Sequence, residues 1–283
     1  MSQLTIDSTV SAGDASIPAL GFGTARITGE DCSRAVEWAL EAGYRHLDTA
    51  TMYDNESAVG DGLERAEVPR DEVFVVTKID PEDAAFDDAL ESARGSCDRL
   101  GIETIDLLLL HAPSDEVPLE ITLDAMNYLQ DEGVVDHVGV SNFSVPQLEE
   151  AVDRSETPIV TNQVKYNPFN RQDALLEYCL EAGVSLTAYS PLARGDVADD
   201  ERLESIGERH GKSAAQVALR WLLQQPSVVA IPKAASRDHV EANADCFDFE
   251  LSEEEMREVF EISGEAPAFA MEDEGGGGDD DGS

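Results

Sequence analysis

Short apolar runs recur along the chain, and each is about as long as a β-strand. Most of them are rich in β-branched residues or in leucine. They lie at Ala19–Gly23, Arg45–Thr49, Val73–Thr77, Ile105–Leu110, Val135–Val140, Ile159–Val164, Val184–Ala188 and Val228–Ile231. Runs without polar alternation are typical of strands that are buried on both faces of a parallel sheet. The pattern therefore predicts eight strands of this kind.

The stretches between these runs carry the spacing of amphipathic helices. Examples are Asp31–Ala42, Asp83–Leu100, Leu119–Glu132, Gln147–Arg154, Asp173–Ala182 and Ser213–Gln224. Gly43 and Gly183 directly follow two of them, as glycine often does at a helix C-terminus. Strands that alternate with helices indicate an α/β protein, and eight such units fit a closed (β/α)8 TIM barrel.

The two ends of the chain depart from this alternating pattern. Leu4–Pro18 is predicted to form an N-terminal β-hairpin that turns at Ser11–Asp14 and closes the bottom of the barrel. The interior contains no Gly/Ser/Pro-rich linker, and 283 residues fit one barrel, so we expect a single domain at residues 1–271. Residues 272–283 are rich in Gly and Asp and are predicted to be a disordered acidic tail.

The formal net charge of −41 comes from 60 acidic and 19 basic residues, and only four of the basic residues are lysine. The tail contributes six of the acidic residues, so the excess is spread over the whole chain. Self-repulsion of this size is screened in molar salt, where the Debye length is about 3 Å. We interpret the charge as adaptation to a saline cytoplasm, such as that of a halophilic archaeon. The alternative is an ordinary acidic protein with a charged tail. The charge also argues against nucleic acid as a partner.

The remaining composition favours a cytoplasmic protein. Cys32, Cys97, Cys179 and Cys246 are far apart and form no C-x-x-C motif, which favours reduced thiols. The N-terminal residues lack the basic and apolar regions of a signal peptide. Because no apolar stretch approaches the ~20 residues of a membrane span, no membrane association is expected.

Polar residues stand where the apolar runs stop. They are Asp48, Lys78, His111, Ser141 and Asn142, Gln163, Tyr189 and Ser190, and Lys233. In a barrel of this type the active site lies at the C-terminal ends of the strands. Asp48, Lys78 and His111 come from three successive strands, and Tyr53 follows Asp48 closely.

These four residue types together make a plausible proton-donating centre. A tyrosine titrates near pH ~10 and is a poor acid at neutral pH. We expect the Lys78 ammonium to favour the phenolate form of Tyr53 and so make it a better donor, with Asp48 keeping the lysine charged. Taken singly, each residue also has a purely structural interpretation, such as a turn cap, a core aromatic, a strand-end lysine or a satisfied buried histidine.

Gly43–Gly60 contains G-Y-R-H-L-D-T-A, five residues, Glu56, two residues and then Val59-Gly60. This stretch resembles the first signature of the aldo-keto reductases, which are NAD(P)H-dependent carbonyl reductases on a (β/α)8 barrel. Further motifs of that family resemble Val138–Phe143, Asn162–Val164, Ala188–Leu192 and Ile231–Lys233. The resemblance spans roughly residues 4–262 and is closest to bacterial and archaeal members related to 2,5-diketo-gluconate reductase.

The resemblance implies a role for each member of the centre in the reduction of an aldehyde or ketone. Tyr53 donates the proton to the carbonyl oxygen, Lys78 and Asp48 tune it, and His111 orients the carbonyl. The cofactor delivers hydride, and no metal is needed. The implied cofactor-binding residues are Gly23, Thr24, Asp48, Ser141, Asn142, Gln163, Tyr189, Ser190, Leu192, Lys233, Ser236, Arg237, His239 and Asn243.

Three departures from the family pattern bear on the choice of cofactor. Ala234 stands where relatives often have serine, His239 where they have arginine, and Ala242 where they have glutamate. Histidine is mostly neutral at neutral pH and lacks the fork of arginine, although Arg237 is a candidate substitute. We expect NADP(H), with NAD(H) as the alternative. The chain has no G-x-G-x-x-G motif, so a Rossmann domain has little support.

The predicted substrate pocket comprises Ala25, Arg26, Ala112 and Asn167. Ala25 and Ala112 replace tryptophans of the family, which predicts a wider or less apolar pocket. Arg26 either reaches a carboxylate of the substrate or forms a surface salt bridge. Two alternatives to a reductase remain: a nicotinamide-binding redox sensor, and a barrel hydrolase or isomerase that uses Asp48 and His111. We expect a small-molecule carbonyl substrate and favour a monomer, since many relatives are monomers.

Overall fold

A two-stranded hairpin precedes eight parallel strands that follow one another in space in the order of the sequence. The computed structural model describes residues 4–263. The hairpin strands are β1 (Thr9–Ala12) and β2 (Ala15–Pro18), and the parallel strands are β3 (Phe22–Gly23), β4 (His46–Asp48), β5 (Phe74–Ile79), β6 (Ile105–Leu110), β7 (Val135–Ser141), β8 (Ile159–Lys165), β9 (Ser185–Tyr189) and β10 (Val228–Ile231). The ends of the sheet meet where Leu20 pairs with Ala230, and the Gly21 N–H donates to the Ala230 carbonyl at 2.9 Å. The (β/α)8 prediction is confirmed.

Helices cover the outside of this barrel and connect its strands. They are α1 (Gly29–Glu41), α2 (Glu56–Arg65), α3 (Phe86–Leu100), α4 (Leu119–Asp131), α5 (Val145–Arg154), α6 (Asp173–Ala182), α7 (Glu201–His210), α8 (Ala214–Leu223), α9 (Arg237–Ala244) and α10 (Glu253–Phe260). Their ends follow local chemistry: Ser144 and Gln147 form a capping box at the start of α5, and Gly183 ends α6 with a left-handed φ of 70°. The six helices predicted from spacing are all present.

The hairpin closes the N-terminal end of the barrel, as predicted. It turns at Gly13, which has a φ of 57°, and Asp14. Its buried residues Ala12, Ala15 and Ile17 share one apolar cluster with barrel residues such as Val76 and Leu109. A second and larger apolar cluster lies between the strands and the surrounding helices. Because the lower end is filled, the polar strand ends at the opposite rim carry the open face of the barrel.

Several predicted boundaries differ from those in the structure, and three of the differences have a clear physical reason. The first barrel strand is limited to Phe22–Gly23, because Leu20 makes only an isolated bridge. The strand β5 continues through Lys78 to Ile79 instead of stopping before the lysine, because Lys78 and Ile79 pair with β6. The helix α3 begins at Phe86 and not at Asp83, since Pro81–Asp83 forms a separate 3-10 turn.

Residues 264–283 lie outside the described residues, and with them the predicted tail and the last part of the predicted domain. All four cysteines are buried and free, as the sequence predicts. Within residues 4–263, no helix is both long and apolar enough to cross a membrane.

Candidate active site

Side-chain alternation along three neighbouring strands brings three polar groups to one level of the barrel. Successive side chains of a strand point to opposite faces, so residues two apart share a face. Val76 and Leu109 belong to the apolar cluster inside the barrel. Lys78 is two residues beyond Val76, and His111 is two residues beyond Leu109, so both lie above that cluster. Asp48, the last residue of β4, is buried and faces Lys78.

Asp48 and Lys78 form a buried ion pair. The Nζ of Lys78 donates to Oδ1 of Asp48 at 2.7 Å and to the Thr49 carbonyl, also at 2.7 Å. Burial disfavours the charge of Lys78, but the Asp48 carboxylate, helped by the Tyr53 oxygen, outweighs it and raises the pKa of the lysine. The lysine is therefore an ammonium at neutral pH.

Tyr53 lies on a short 3-10 turn, Thr51–Tyr53, that directly follows β4. The Thr51 hydroxyl anchors this turn by donating to the Lys78 carbonyl at 3.0 Å. The Nζ of Lys78 lies 5.4 Å from the centroid of the Tyr53 ring. Burial raises the pKa of Tyr53, and the Lys78 ammonium opposes that rise without cancelling it. Lys78 therefore acts on Tyr53 in the expected direction, but burial is the larger effect, so Tyr53 keeps its proton in the protein alone and is available as a donor.

His111 completes the group as a neutral imidazole. Its ring meets the Tyr53 ring edge to face, with centroids 5.7 Å apart and planes at 80°. Burial, and then the nearby Lys78 ammonium, lower the pKa of His111 to about 4. The Nδ1 of His111 is buried and has no hydrogen-bond partner among the described residues. A neutral imidazole keeps one N–H donor, which can bind a carbonyl oxygen.

Gln163 contacts Asp48 directly, which sequence reasoning missed. Its Nε2 donates to Oδ2 of Asp48 at 2.6 Å, and both side chains are almost fully buried. The hydroxyl of Ser141 donates to the Gln163 backbone carbonyl at 2.8 Å. Gln163 was predicted only as a cofactor contact. No sequence signal reports a partner 115 residues away, because that contact depends on closure of the barrel.

The ends of β7 and β9 form a polar ledge beside His111. Asn142 has a left-handed φ of 62°, and its amide donates to the His111 carbonyl at 2.9 Å. The Tyr189 hydroxyl donates to the Asn142 amide oxygen at 3.0 Å. Ser190 also has a left-handed φ, of 48°. A cleft of about 490 Å³ runs past Asn142, Tyr189 and Lys165.

A tight turn after β3 forms the wall nearest Asp48. Thr24 is fully buried, and its hydroxyl donates to the Asp48 carbonyl at 3.0 Å. Arg26 is exposed with a left-handed φ of 65°, and it pairs with no carboxylate of the described residues, so the predicted surface salt bridge is absent there. Asn55 pins this turn by donating to the carbonyls of Thr24 at 2.9 Å and Ile27 at 2.8 Å.

The predicted pocket residues have different surroundings. Ala25 and Ala112 are half-buried, as small wall residues would be. Asn167 is fully buried, and its amide donates to the Ser190 carbonyl at 2.9 Å. Its amide therefore supports the loop after β9. Met52, which sequence reasoning missed, is 54% exposed next to Tyr53.

The cofactor-clamp prediction is only partly matched by the contacts. Lys233 is exposed, and Ser236 caps α9 by accepting from the His239 N–H. Arg237 pairs with Glu241 at 2.7 Å and with Glu41 of α1 at 3.2 Å, so both acids already hold it. His239 is exposed, whereas Asn243 is buried and Leu192 is half-buried.

Within residues 4–263, basic side chains without an acidic partner concentrate at the C-terminal ends of the barrel strands, a region that we call the cationic rim. Most described basic side chains pair with Asp or Glu, as Arg65 does with Glu30 at 2.8 Å. Four that pair with no described carboxylate follow or end barrel strands, namely Arg26, Lys165, Arg194 and Lys233. The two others, Arg220 and Arg257, lie on helices. In a chain of net charge −41, unpaired cations on one rim fit an anionic ligand such as a phosphate-bearing cofactor.

The described residues contain no group of three or more His, Cys, Asp or Glu side chains arranged to hold a metal ion. The cationic rim and the polar ledge of Asn142 and Tyr189 fit a dinucleotide better, since they combine phosphate partners with groups that can contact an amide.

Comparison with known proteins identifies the family. A model of the Aldo/keto reductase family matches residues 19–263. Glyoxal reductase of Bacillus subtilis (strain 168) is 39% identical over 244 residues, covering 86% of this chain and 88% of that protein. The 9,11-endoperoxide prostaglandin H2 reductase of Trypanosoma cruzi (strain CL Brener) is 39% identical over 251 residues, covering 87% and 88%.

Solved structures agree in fold and in family. A crystal structure assigned to 2,5-diketo-D-gluconic acid reductase B superposes with a TM-score of 0.89 at 43% identity, covering 90% of this chain and 91% of that one. The Bombyx mori aldo-keto reductase in complex with NADP gives a TM-score of 0.85 at 32% identity, covering 92% and 94%. The redox-sensor and hydrolase alternatives find no support among these relatives. The chain therefore belongs to the aldo/keto reductase family and is an NADP(H)-dependent oxidoreductase that acts on small-molecule carbonyl compounds.

Proposed function

We propose that Asp48, Tyr53, Lys78 and His111 are the catalytic residues, with Tyr53 as the proton donor. The observation that carries this proposal is their convergence: Lys78, paired with the buried Asp48, holds its Nζ 5.4 Å from the centroid of the Tyr53 ring, and the neutral His111 ring meets that ring edge to face. A protonated phenol and a neutral imidazole N–H are two donors that can meet one carbonyl oxygen.

The chemistry divides between the cofactor and the chain. Bound NADPH supplies the hydride that goes to the carbonyl carbon. Tyr53 donates its proton to the carbonyl oxygen, and the O–H bond of the phenol breaks as that of the alcohol forms. Lys78 stabilises the phenolate that remains, and Asp48 keeps the lysine charged. His111 donates a hydrogen bond to the oxygen as negative charge develops there.

The cofactor-binding assignment follows the ledge and the cationic rim. Asn142, Gln163 and Tyr189 are proposed to hold the nicotinamide end, and Lys233 and the N-terminus of α9 the adenosine phosphate. Arg194, which pairs with no described carboxylate, adds a further cation after β9. The remaining proposed contacts are Gly23, Thr24, Ser141, Ser190, Leu192, Ser236, His239 and Asn243. Arg237 is left out of this set, because Glu41 and Glu241 already hold its guanidinium.

The substrate class is proposed to be small aldehydes and α-dicarbonyl compounds. The named relatives include a glyoxal reductase and a protein assigned as a 2,5-diketo-D-gluconic acid reductase. Ala25 and Ala112 leave two pocket walls without aromatic side chains. A pocket of that kind contacts polar carbonyl compounds without enforcing burial of a large apolar group.

We also propose the molecular context. Residues 1–271 form one domain and 272–283 an acidic tail, and the protein is a monomer of a saline cytoplasm that binds no nucleic acid. Four free buried cysteines suit a reducing compartment, and the surface charge repels phosphate backbones.

The direct test is turnover by the purified protein in molar KCl. NADPH absorbance is followed with glyoxal, methylglyoxal, a simple aldehyde and a matched ketone, and the alcohol product is quantified. One alcohol formed per NADPH consumed is expected. Tight NADPH binding without turnover on the whole panel would contradict the proposal.

A further inference from the structure

The Asp48 carboxylate is held at both oxygens by groups on opposite sides of the barrel. Oδ1 accepts from Lys78 Nζ at 2.7 Å, and Oδ2 accepts from Gln163 Nε2 at 2.6 Å. Lys78 is on β5, next to Asp48, whereas Gln163 is on β8. The Gln163 bond therefore spans the interior of the barrel.

The bond from Gln163 supplies a hydrogen-bond donor to Oδ2 of Asp48, which the ion pair through Oδ1 leaves without one. A buried carboxylate has two oxygens to satisfy, and an unpaired one is costly in an apolar setting. Asp48 is 2% exposed and Gln163 is 3% exposed. A donor to ionised oxygen makes a short, strong hydrogen bond. Because the glutamine is neutral, it orients the carboxylate without competing with Lys78 for its charge.

Gln163 is itself fixed by its neighbours. Its backbone carbonyl accepts from the Ser141 hydroxyl at 2.8 Å and from the Asn142 N–H at 2.9 Å. Its side-chain amide oxygen receives no hydrogen bond from a described residue. The same amide can therefore hold Asp48 through nitrogen while its oxygen stays available to a ligand.

We propose that Gln163 is a positioning residue for Asp48, which turns Oδ1 toward Lys78 and thereby keeps the ammonium beneath Tyr53. This role is separate from any contact with the nicotinamide, and it rests on the proposed function of Tyr53 as the proton donor. Without Gln163, Oδ2 loses its partner, the carboxylate is free to rotate, and Lys78 loses its fixed position near the phenol.

A double-mutant cycle with Asp48 tests the proposal. Gln163→Met keeps the length and volume of the side chain but removes the donor, and Asp48→Asn removes the charge that the donor stabilises. We expect Gln163→Met to lower kcat about tenfold in the wild type and less than about twofold in Asp48→Asn, because the two residues act as one unit.

Asn142→Gly is the matched control. Its amide belongs to the same ledge but does not touch Asp48, and glycine tolerates the left-handed φ of 62°. Asn142→Gly should weaken NADPH binding. The factor by which it lowers kcat should be the same in the wild type and in Asp48→Asn. Equal factors for Gln163→Met in the two backgrounds would overturn the proposal and leave Gln163 as a cofactor contact alone.

A second readout covers variants with too little turnover. The free energy of unfolding without cofactor is measured for the same four proteins. Gln163→Met should lower the free energy of unfolding more in the wild-type background than in the Asp48→Asn background. Equal losses in the two backgrounds would overturn the proposed coupling between Gln163 and Asp48. Because this measurement needs no catalysis, its result stands even if Tyr53→Phe proves active and the proposed function fails.

Discussion

At the scale of single residues, Asp48 and Lys78 depend on each other. Removing one member of a buried ion pair leaves an uncompensated charge and typically costs about 3–5 kcal/mol. We expect Lys78→Met to destabilise the fold by that amount, and Asp48→Asn with Lys78→Met to recover a large part of it. Urea unfolding of the two variants and the wild type measures this. Equal stability of single and double variants would show that Asp48 is not a buried charge.

His111 predicts a pH dependence of stability. Its folded pKa of about 4 lies below the ordinary histidine pKa of 6.5, so the native state binds fewer protons than the unfolded state. The contribution is fully present above the unfolded pKa and is lost as pH falls from about 6.5 toward about 4. His111→Gln should flatten the fall of unfolding free energy across this window. An identical pH profile for the variant would contradict a buried neutral imidazole.

Sequence reasoning found the four catalytic candidates because their chemistry is local to strand ends. Asp48, Lys78 and His111 close or follow apolar runs, and Tyr53 lies inside a recognisable signature. The partners of these residues are not local. The Gln163 bond to Asp48 exists only once β8 and β4 face each other across a closed barrel. The pKa direction of Tyr53 also depends on burial, which no pattern in the sequence measures.

At the scale of elements, we expect α9 to set the preference between NADPH and NADH. Arg237, at its first position, is held by Glu41 and Glu241 and has little freedom to grip a phosphate. We expect His239→Arg to raise the ratio of kcat/KM for NADPH over NADH about tenfold, since a permanent charge adds a charge-assisted hydrogen bond. Steady-state kinetics with both cofactors measures this ratio.

Arg237→Gln is the control for the same helix. It should change the NADPH/NADH ratio by less than about twofold, because the arginine is already neutralised by two carboxylates. A large fall in the ratio would show that Arg237 leaves its acids for the cofactor, which would contradict the account of α9.

The sequence predicts strand bounds well where a strand is uniformly apolar. It predicts them less well where a polar residue lies within a strand. β6 and β10 match their predicted bounds because both are uniformly apolar. The predicted β5 ends before Lys78, because a lysine after an apolar run usually indicates the end of a buried strand. Inside the barrel the lysine donates hydrogen bonds to Asp48 and to the Thr49 carbonyl, so the strand continues past it.

At the scale of the whole molecule, the charge of −41 predicts a strong dependence on salt. Repulsion among surface carboxylates is long-ranged in dilute buffer and is screened as the Debye length falls to about 3 Å in molar salt. We expect Tm to rise steeply with KCl and to level off near molar concentration. Sorbitol at matched osmolality, which does not screen charge, should give a smaller rise. A Tm independent of KCl would contradict the interpretation of the charge.

The central claim is that Tyr53 donates the proton in carbonyl reduction, and Tyr53→Phe tests it most directly. The change removes one hydroxyl, so the fold and NADPH affinity, followed by quenching of protein fluorescence, should stay within about twofold of the wild type. NADPH-dependent reduction of glyoxal should fall by about 10²–10⁴-fold, the range typical of a lost general acid. Turnover of the folded variant close to that of the wild type would contradict the account.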